Sequence, residues 1–146
     1  MRGLPLTAGV SSLLLAGFLG SSCTDAACAC SPTETVIGTY HATRLRFTPN
    51  GQATTDALAG GATITLTLSS GGTTSGSFFV PASLNAGTQV TFDLAGTYQA
   101  TGSNVSFAHS ADTFIRDVPW TWNGSTLATT ATAGGTQYDV ILTRSP

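Results

Sequence analysis

Between Gly96 and Ala133, short alternating runs and turn residues follow one another with no helical interval. Gly96-Thr-Tyr-Gln-Ala-Thr reads as a strand, Gly102-Ser-Asn as a turn and Val105-Ser-Phe-Ala-His as the returning strand. After Ala111-Asp112 come the run Thr113–Trp122, the turn Asn123-Gly124 and the run Ser125–Thr132. Asn-Gly between two alternating runs is a strong hairpin signal, because both residues tolerate the positive φ of a type I′ turn. Connections this short oblige each strand to pair with its predecessor. The expected architecture is an antiparallel meander.

The same pattern holds upstream and downstream. Ile64, Leu66 and Leu68 alternate with Thr63, Thr65 and Thr67, the pattern of a half-buried strand. Ser70-Gly71-Gly72 turns the chain, and Ser75–Val80 returns. Val90, Phe92 and Leu94 share a parity that continues through Gly96, Tyr98 and Ala100, which suggests one long strand bent at Gly96. In Val36–Thr48, Tyr40 and Ala42 take one parity and Leu45 and Phe47 the other. A bulge near Thr43 reconciles them. Pro119 cannot donate to a ladder, so Asp117-Val118-Pro119 is expected to be a bulge, an edge or a break. Thr136–Arg144 sets Tyr138, Val140 and Leu142 on one face. The count is about eight strands. Gly38-Thr-Tyr-His-Ala-Thr is echoed by Gly96-Thr-Tyr-Gln-Ala-Thr, a pattern that places an inward Tyr after a Gly where strands bend in closed sheets.

Only 8% of the 146 residues are charged: five are Arg, none is Lys, and seven are Asp or Glu. No basic patch exists to neutralise phosphates, which argues against nucleic acid as a partner. Apolar residues make up 41%, enough to argue for a folded core rather than disorder.

The first residues carry an address. Met1-Arg2 supplies a positive start and Val10–Leu19 an apolar run too short to span a bilayer as a mature helix. Gly20-Ser21-Ser22-Cys23 follows, similar to a bacterial lipobox, whose Cys is lipidated after cleavage. Residues 1–22 are thus expected to be a lipoprotein signal peptide, with Cys23 lipidated and the chain anchored to a membrane of the bacterial envelope. Cleavage near Ala26–Ala29 is the competing reading and would leave the protein secreted or periplasmic. Cys28 and Cys30 are too close for an unstrained disulfide and too few for a metal site. Residues 23–35 read as a flexible tether with incidental thiols, ahead of a domain over 36–146.

No catalytic constellation stands out. His41 and His109 are the only imidazoles and show no metal-ligand spacing. Asp112, Asp117 and the Ser-rich turns lack a Gly-x-Ser-x-Gly elbow. In a strand, Arg116 and Asp117 would point to opposite faces and need separate partners. Trp120 and Trp122 share parity and suit packing.

Residues 36–146 resemble the small lipocalin-like barrels of bacterial lipoproteins. The resemblance rests on Gly38-Thr39-Tyr40, where lipocalins carry Gly-x-Trp, on Arg144 in the last strand, where their structural Arg packs across that ring, and on Ala111-Asp-Thr-Phe-Ile-Arg-Asp117. It implies an all-β, up-and-down antiparallel barrel of about eight strands, closed where Gly38, Tyr40 and Arg144 meet. An eight-stranded barrel is just wide enough for one small ligand. The expected role is binding of a small apolar or amphipathic molecule, with Tyr40, Phe92, Tyr98, Phe107 and Trp120 as candidate interior contacts. No enzyme activity, cofactor or metal is expected, and the protein is expected to be monomeric. The alternative is a structural or protein-interaction lipoprotein whose barrel is filled by its own side chains.

Overall fold

The computed structural model describes residues 36–146; the signal segment, the lipidation candidate Cys23, and Cys28 and Cys30 lie outside the described residues. Ten strands occupy this part: β1 (Gly38–Pro49), β2 (Thr55–Asp56), β3 (Thr63–Leu68), β4 (Thr73–Val80), β5 (Val90–Asp93), β6 (Gly96–Thr101), β7 (Asn104–His109), β8 (Trp120–Trp122), β9 (Thr126–Ala133) and β10 (Thr136–Arg144). Eight of them form a ring in the order β1-β3-β4-β6-β7-β8-β9-β10, and antiparallel pairing of β10 with β1 closes it. The two others are accessory: β2 pairs with the far half of β1, and β5 with the far half of β4. The protein is an all-β, closed, eight-stranded antiparallel barrel.

Closure runs the full length of the seam, from Tyr40 opposite Arg144 to Pro49 opposite Thr136. The register slips between Ala42 and Arg44, so Thr43 is the extra residue of a bulge. That slip turns both Tyr40 and Leu45, on opposite parities in the sequence, into the core, where each is fully buried. The expected single strand through Gly96 is divided at Leu94-Ala95, and both halves, β5 and β6, pair with the same β4.

Turn chemistry follows the glycines. Gly102 takes φ +61° in the two-residue loop between β6 and β7. The hairpin at Asn123-Gly124 forms, but Asn123 is not among the positive-φ residues. Its side chain instead accepts hydrogen bonds from the Thr126 N–H at 3.0 Å and the Thr126 hydroxyl at 2.8 Å, a local bond that competes with the I′ geometry. The pair with both φ positive is Gly134-Gly135, at +56° and +77° between β9 and β10.

The run Thr113–Trp122 is not one strand. Phe114–Asp117 forms a single helical turn, α1, and only Trp120–Trp122 is extended. Pro119 explains the break, and the apolar pair Phe114 and Ile115 explains why the turn folds inward: both are buried. β8 therefore walls only one half of the barrel, pairing with Asn104 and Val105 at the start of β7. α1 packs against β7. The correction extends to Arg116 and Asp117, which do not point apart: Arg116 Nε donates to Asp117 Oδ1 at 2.8 Å, and Nη2 to Asp112 Oδ1 at 2.6 Å.

The barrel has two unlike ends. The closed end holds Tyr40, Tyr98 and Arg144, and the other, reached at Phe47, Tyr138 and α1, is the mouth. Between them Leu45, Leu66, Leu94, Trp120, Leu127 and Val140 are at most 1% exposed. The interior is filled by the protein's own side chains.

Candidate functional site

At the mouth, strand ends and loops surround a cleft of about 520 Å³. β1 contributes Phe47, β4 Phe78, β5 Phe92, α1 Phe114 and β10 Tyr138, with Leu84 above them from a 3-10 turn at Ala82–Leu84. The register explains the convergence. Phe47 lies opposite Tyr138 across the closing seam and Phe78 opposite Phe92, and side chains directly opposite in an antiparallel pair share a face.

The rings form one continuous cluster. Phe114 stacks on Tyr138 with centroids 4.5 Å apart and planes 11° from parallel. Phe47 meets both edge-on, at 5.9 Å and 5.5 Å. Phe78 meets Phe114 edge-on at 5.7 Å and stacks on Phe92 at 5.7 Å. Offset and edge-to-face arrangements at these separations suit the ring quadrupoles. Phe78 and Phe114 are buried beneath, whereas Phe47, Phe92 and Tyr138 remain partly exposed to the cleft. Asn85, Asp112, Thr113 and Thr136 supply its polar edge.

His109 lies directly behind this floor. It is buried, and its Nε2 shares a 3.0 Å hydrogen bond with the hydroxyl of Thr113, the residue that opens α1. Its Nδ1 is buried with no partner. Burial, and after it the Arg116 charge, push the imidazole pKa below its usual value, while Asp117 pulls the other way. This favours neutral imidazole. His41 is elsewhere, on the outer wall, 3.2 Å from the Thr65 hydroxyl. Among the described residues no three His, Cys, Asp or Glu side chains converge.

Of the five residues proposed from the sequence as interior contacts, Phe92 lines the mouth cleft. Tyr40, Tyr98, Phe107 and Trp120 are placed in the packed core. Tyr40 donates its hydroxyl to the Val36 carbonyl at 2.7 Å, Tyr98 to Ser69 at 2.9 Å, and the Trp120 indole N–H to Ile115 at 3.0 Å. These bonds to backbone satisfy polar tips that burial would otherwise leave unpaired. Burial raises the pKa of the Tyr40 and Tyr98 hydroxyls; at Tyr40 the Trp122 indole and Arg144 partly offset it. The echoed Gly-Thr-Tyr segments thus do the same structural work twice. Phe47, Phe114 and Tyr138 carry more of the cleft than the sequence suggested. Tyr138 was legible as inward, but nothing in the sequence placed it beside Phe114.

Comparison with known proteins found no matching family, no matching curated protein and no matching solved structure. The barrel is compatible with the lipocalin-like architecture that Gly38, Tyr40 and Arg144 imply.

Proposed function

We propose that this barrel is a lipocalin-like envelope lipoprotein that binds a small apolar or amphipathic molecule, without chemistry, and that the ligand sits in the aromatic mouth. The observation that carries this reading is the cleft lined by Phe47, Phe78, Phe92, Phe114 and Tyr138. Its volume falls within the range of small-molecule sites, roughly 300–1,000 Å³, and its mix of rings with a few polar groups is their usual lining. Export and attachment through Cys23 are part of the proposal and rest on the Arg2 start, the Val10–Leu19 run and Gly20-Ser-Ser-Cys23.

The alternative, a structural or interaction lipoprotein with no ligand, draws support from the filled interior, where Tyr40, Leu45 and Trp120 leave no exposed surface worth covering. The two readings part at the cleft. Trp120 stands 6.4 Å from Phe114, so an apolar molecule seated on Phe114 alters the surroundings of the indole. Titration with benzyl alcohol and medium-chain alcohols is expected to change Trp emission saturably, and Phe92→Ala to weaken that response severalfold in protein that still unfolds cooperatively. Emission that ignores every probe, together with protein taken from its own envelope that carries no small molecule in native mass spectrometry, leaves the packed structural barrel as the function.

A further inference from the structure

The charge around the mouth is one-sided. Among the residues that line the cleft, Asp112 is the single ionised side chain, and no Arg or His joins it. The chain has no Lys at all. Arg44 and Arg46 pair with Asp139 and Asp56 at 3.6 Å and 3.7 Å along β1, and Arg144 belongs to the opposite, closed end. Among the described residues Arg116 is the cation beside the mouth, and it is shared between two carboxylates, Asp112 and Asp117. The three together carry a net charge of −1. The bond from Arg116 reaches Asp112 Oδ1, and the Asp112 side chain is 89% exposed, so its other oxygen faces solvent at the cleft edge.

An anionic amphiphile entering this cleft would bring a carboxylate beside Asp112 and find no basic group among the described lining residues to receive it. A cation meets the reverse situation. Aromatic faces attract ammonium groups within about 6 Å of a ring centroid, and Phe47, Phe92 and Tyr138 present partly exposed rings on the wall that Asp112 borders. We infer that the ligand of the aromatic mouth is an organic cation: an ammonium or quaternary ammonium group joined to an apolar or aromatic body. The body covers the rings and the ammonium lies between a ring face and Asp112. This deepens the ligand-binding reading above and rests on it.

Three probes with one body and different charge separate the two: benzyltrimethylammonium, benzyl alcohol and phenylacetate, each titrated calorimetrically into the full chain at low ionic strength. The cation is expected to bind roughly ten-fold more tightly than the alcohol, as a ring contact reinforced by one carboxylate allows, and phenylacetate more weakly than either. Asp112→Asn should remove most of the cation's advantage and leave the alcohol unchanged. Arg116→Gln, which frees Asp112 from its partner, should enlarge that advantage, and added salt should shrink it. Equal binding of all three probes, or a preference for phenylacetate, overturns the inference while the cleft remains a ligand site. Failure of all three to bind overturns both.

Discussion

The Arg144 side chain lies across the α-carbon of Gly38, so close that a methyl group added to Gly38 would come within 2.5 Å of the guanidinium Nε. Gly38 also holds φ at +148°, a region L-residues rarely enter. Both facts belong to the seam where the last strand meets the first, two residues before the Tyr40 that pairs with Arg144. The arginine stem fills the space that a side chain at position 38 would take.

Gly38→Ala is expected to cost more than the about 1–3 kcal/mol of a residue held in a sparsely populated backbone region, because the added methyl also meets the Arg144 guanidinium. Arg144→Ala should lower the denaturation midpoint while the fold persists. Combined, the two should be less damaging than their sum, because removing Arg144 leaves only the backbone part of the Gly38 penalty. Additivity within about 0.5 kcal/mol in a double-mutant cycle would mean that the contact carries no coupling.

Tyr40 fastens the chain as it enters the barrel. Its hydroxyl donates to the Val36 carbonyl at 2.7 Å in a buried setting, and Tyr40→Phe keeps the ring while stranding that carbonyl. An unsatisfied buried acceptor costs about 1–3 kcal/mol. Urea titration should show a lower midpoint with an unchanged slope, since the surface exposed on unfolding is the same. Tyr98→Phe is the milder comparison at the echoed site, because the exposed Ser69 carbonyl keeps the Gly72 N–H at 3.0 Å.

Acid should destabilise the fold through His109. The His109 pKa is lowered in the folded protein, so as pH falls through the ordinary histidine value near 6.5 the unfolded chain takes up the proton first. Stability contributed by neutral His109 is complete above that pH and is lost progressively below it. Protonated imidazole donates from both nitrogens, and Nδ1 has nothing to donate to. Melting temperatures measured from pH 8 to about 5, above the main carboxylate titrations, should fall for the wild type. The curve should be flatter for His109→Leu, and an equally steep one would assign the acid sensitivity to other groups.

Lipidation makes a claim on residues the structure does not describe. Metabolic labelling with a fatty-acid analogue in a bacterial host should mark the wild type and leave Cys23→Ala unmarked. Label that survives the substitution would move the anchor, or the cleavage site, away from Cys23.

Alternation and turn residues were enough to specify most of the barrel. Ile64, Leu66 and Leu68 face inward as their parity with Thr demands, because the two-residue period of a strand leaves no other way to bury one face. The bulge at Thr43 was legible for the same reason, since two parities in one strand require an extra residue. Local chemistry did not decide everything. Asn-Gly signalled a hairpin, yet the Asn123 side chain took Thr126 as its partner and the I′ geometry went to Gly134-Gly135. A strand-like reading of Thr113–Trp122 lost to a helical turn, because burying Phe114 and Ile115 against β7 outweighs extending a segment that Pro119 already interrupts. The cleft was out of reach altogether. Phe47, Phe92, Phe114 and Tyr138 are far apart in the chain and join one cluster only because closure sets Phe47 beside Tyr138, α1 turns Phe114 against both, and Phe78 links Phe92 to Phe114. Periodicity tells which side chains point inward; the register of closure and the path of one helical turn decide which of them touch.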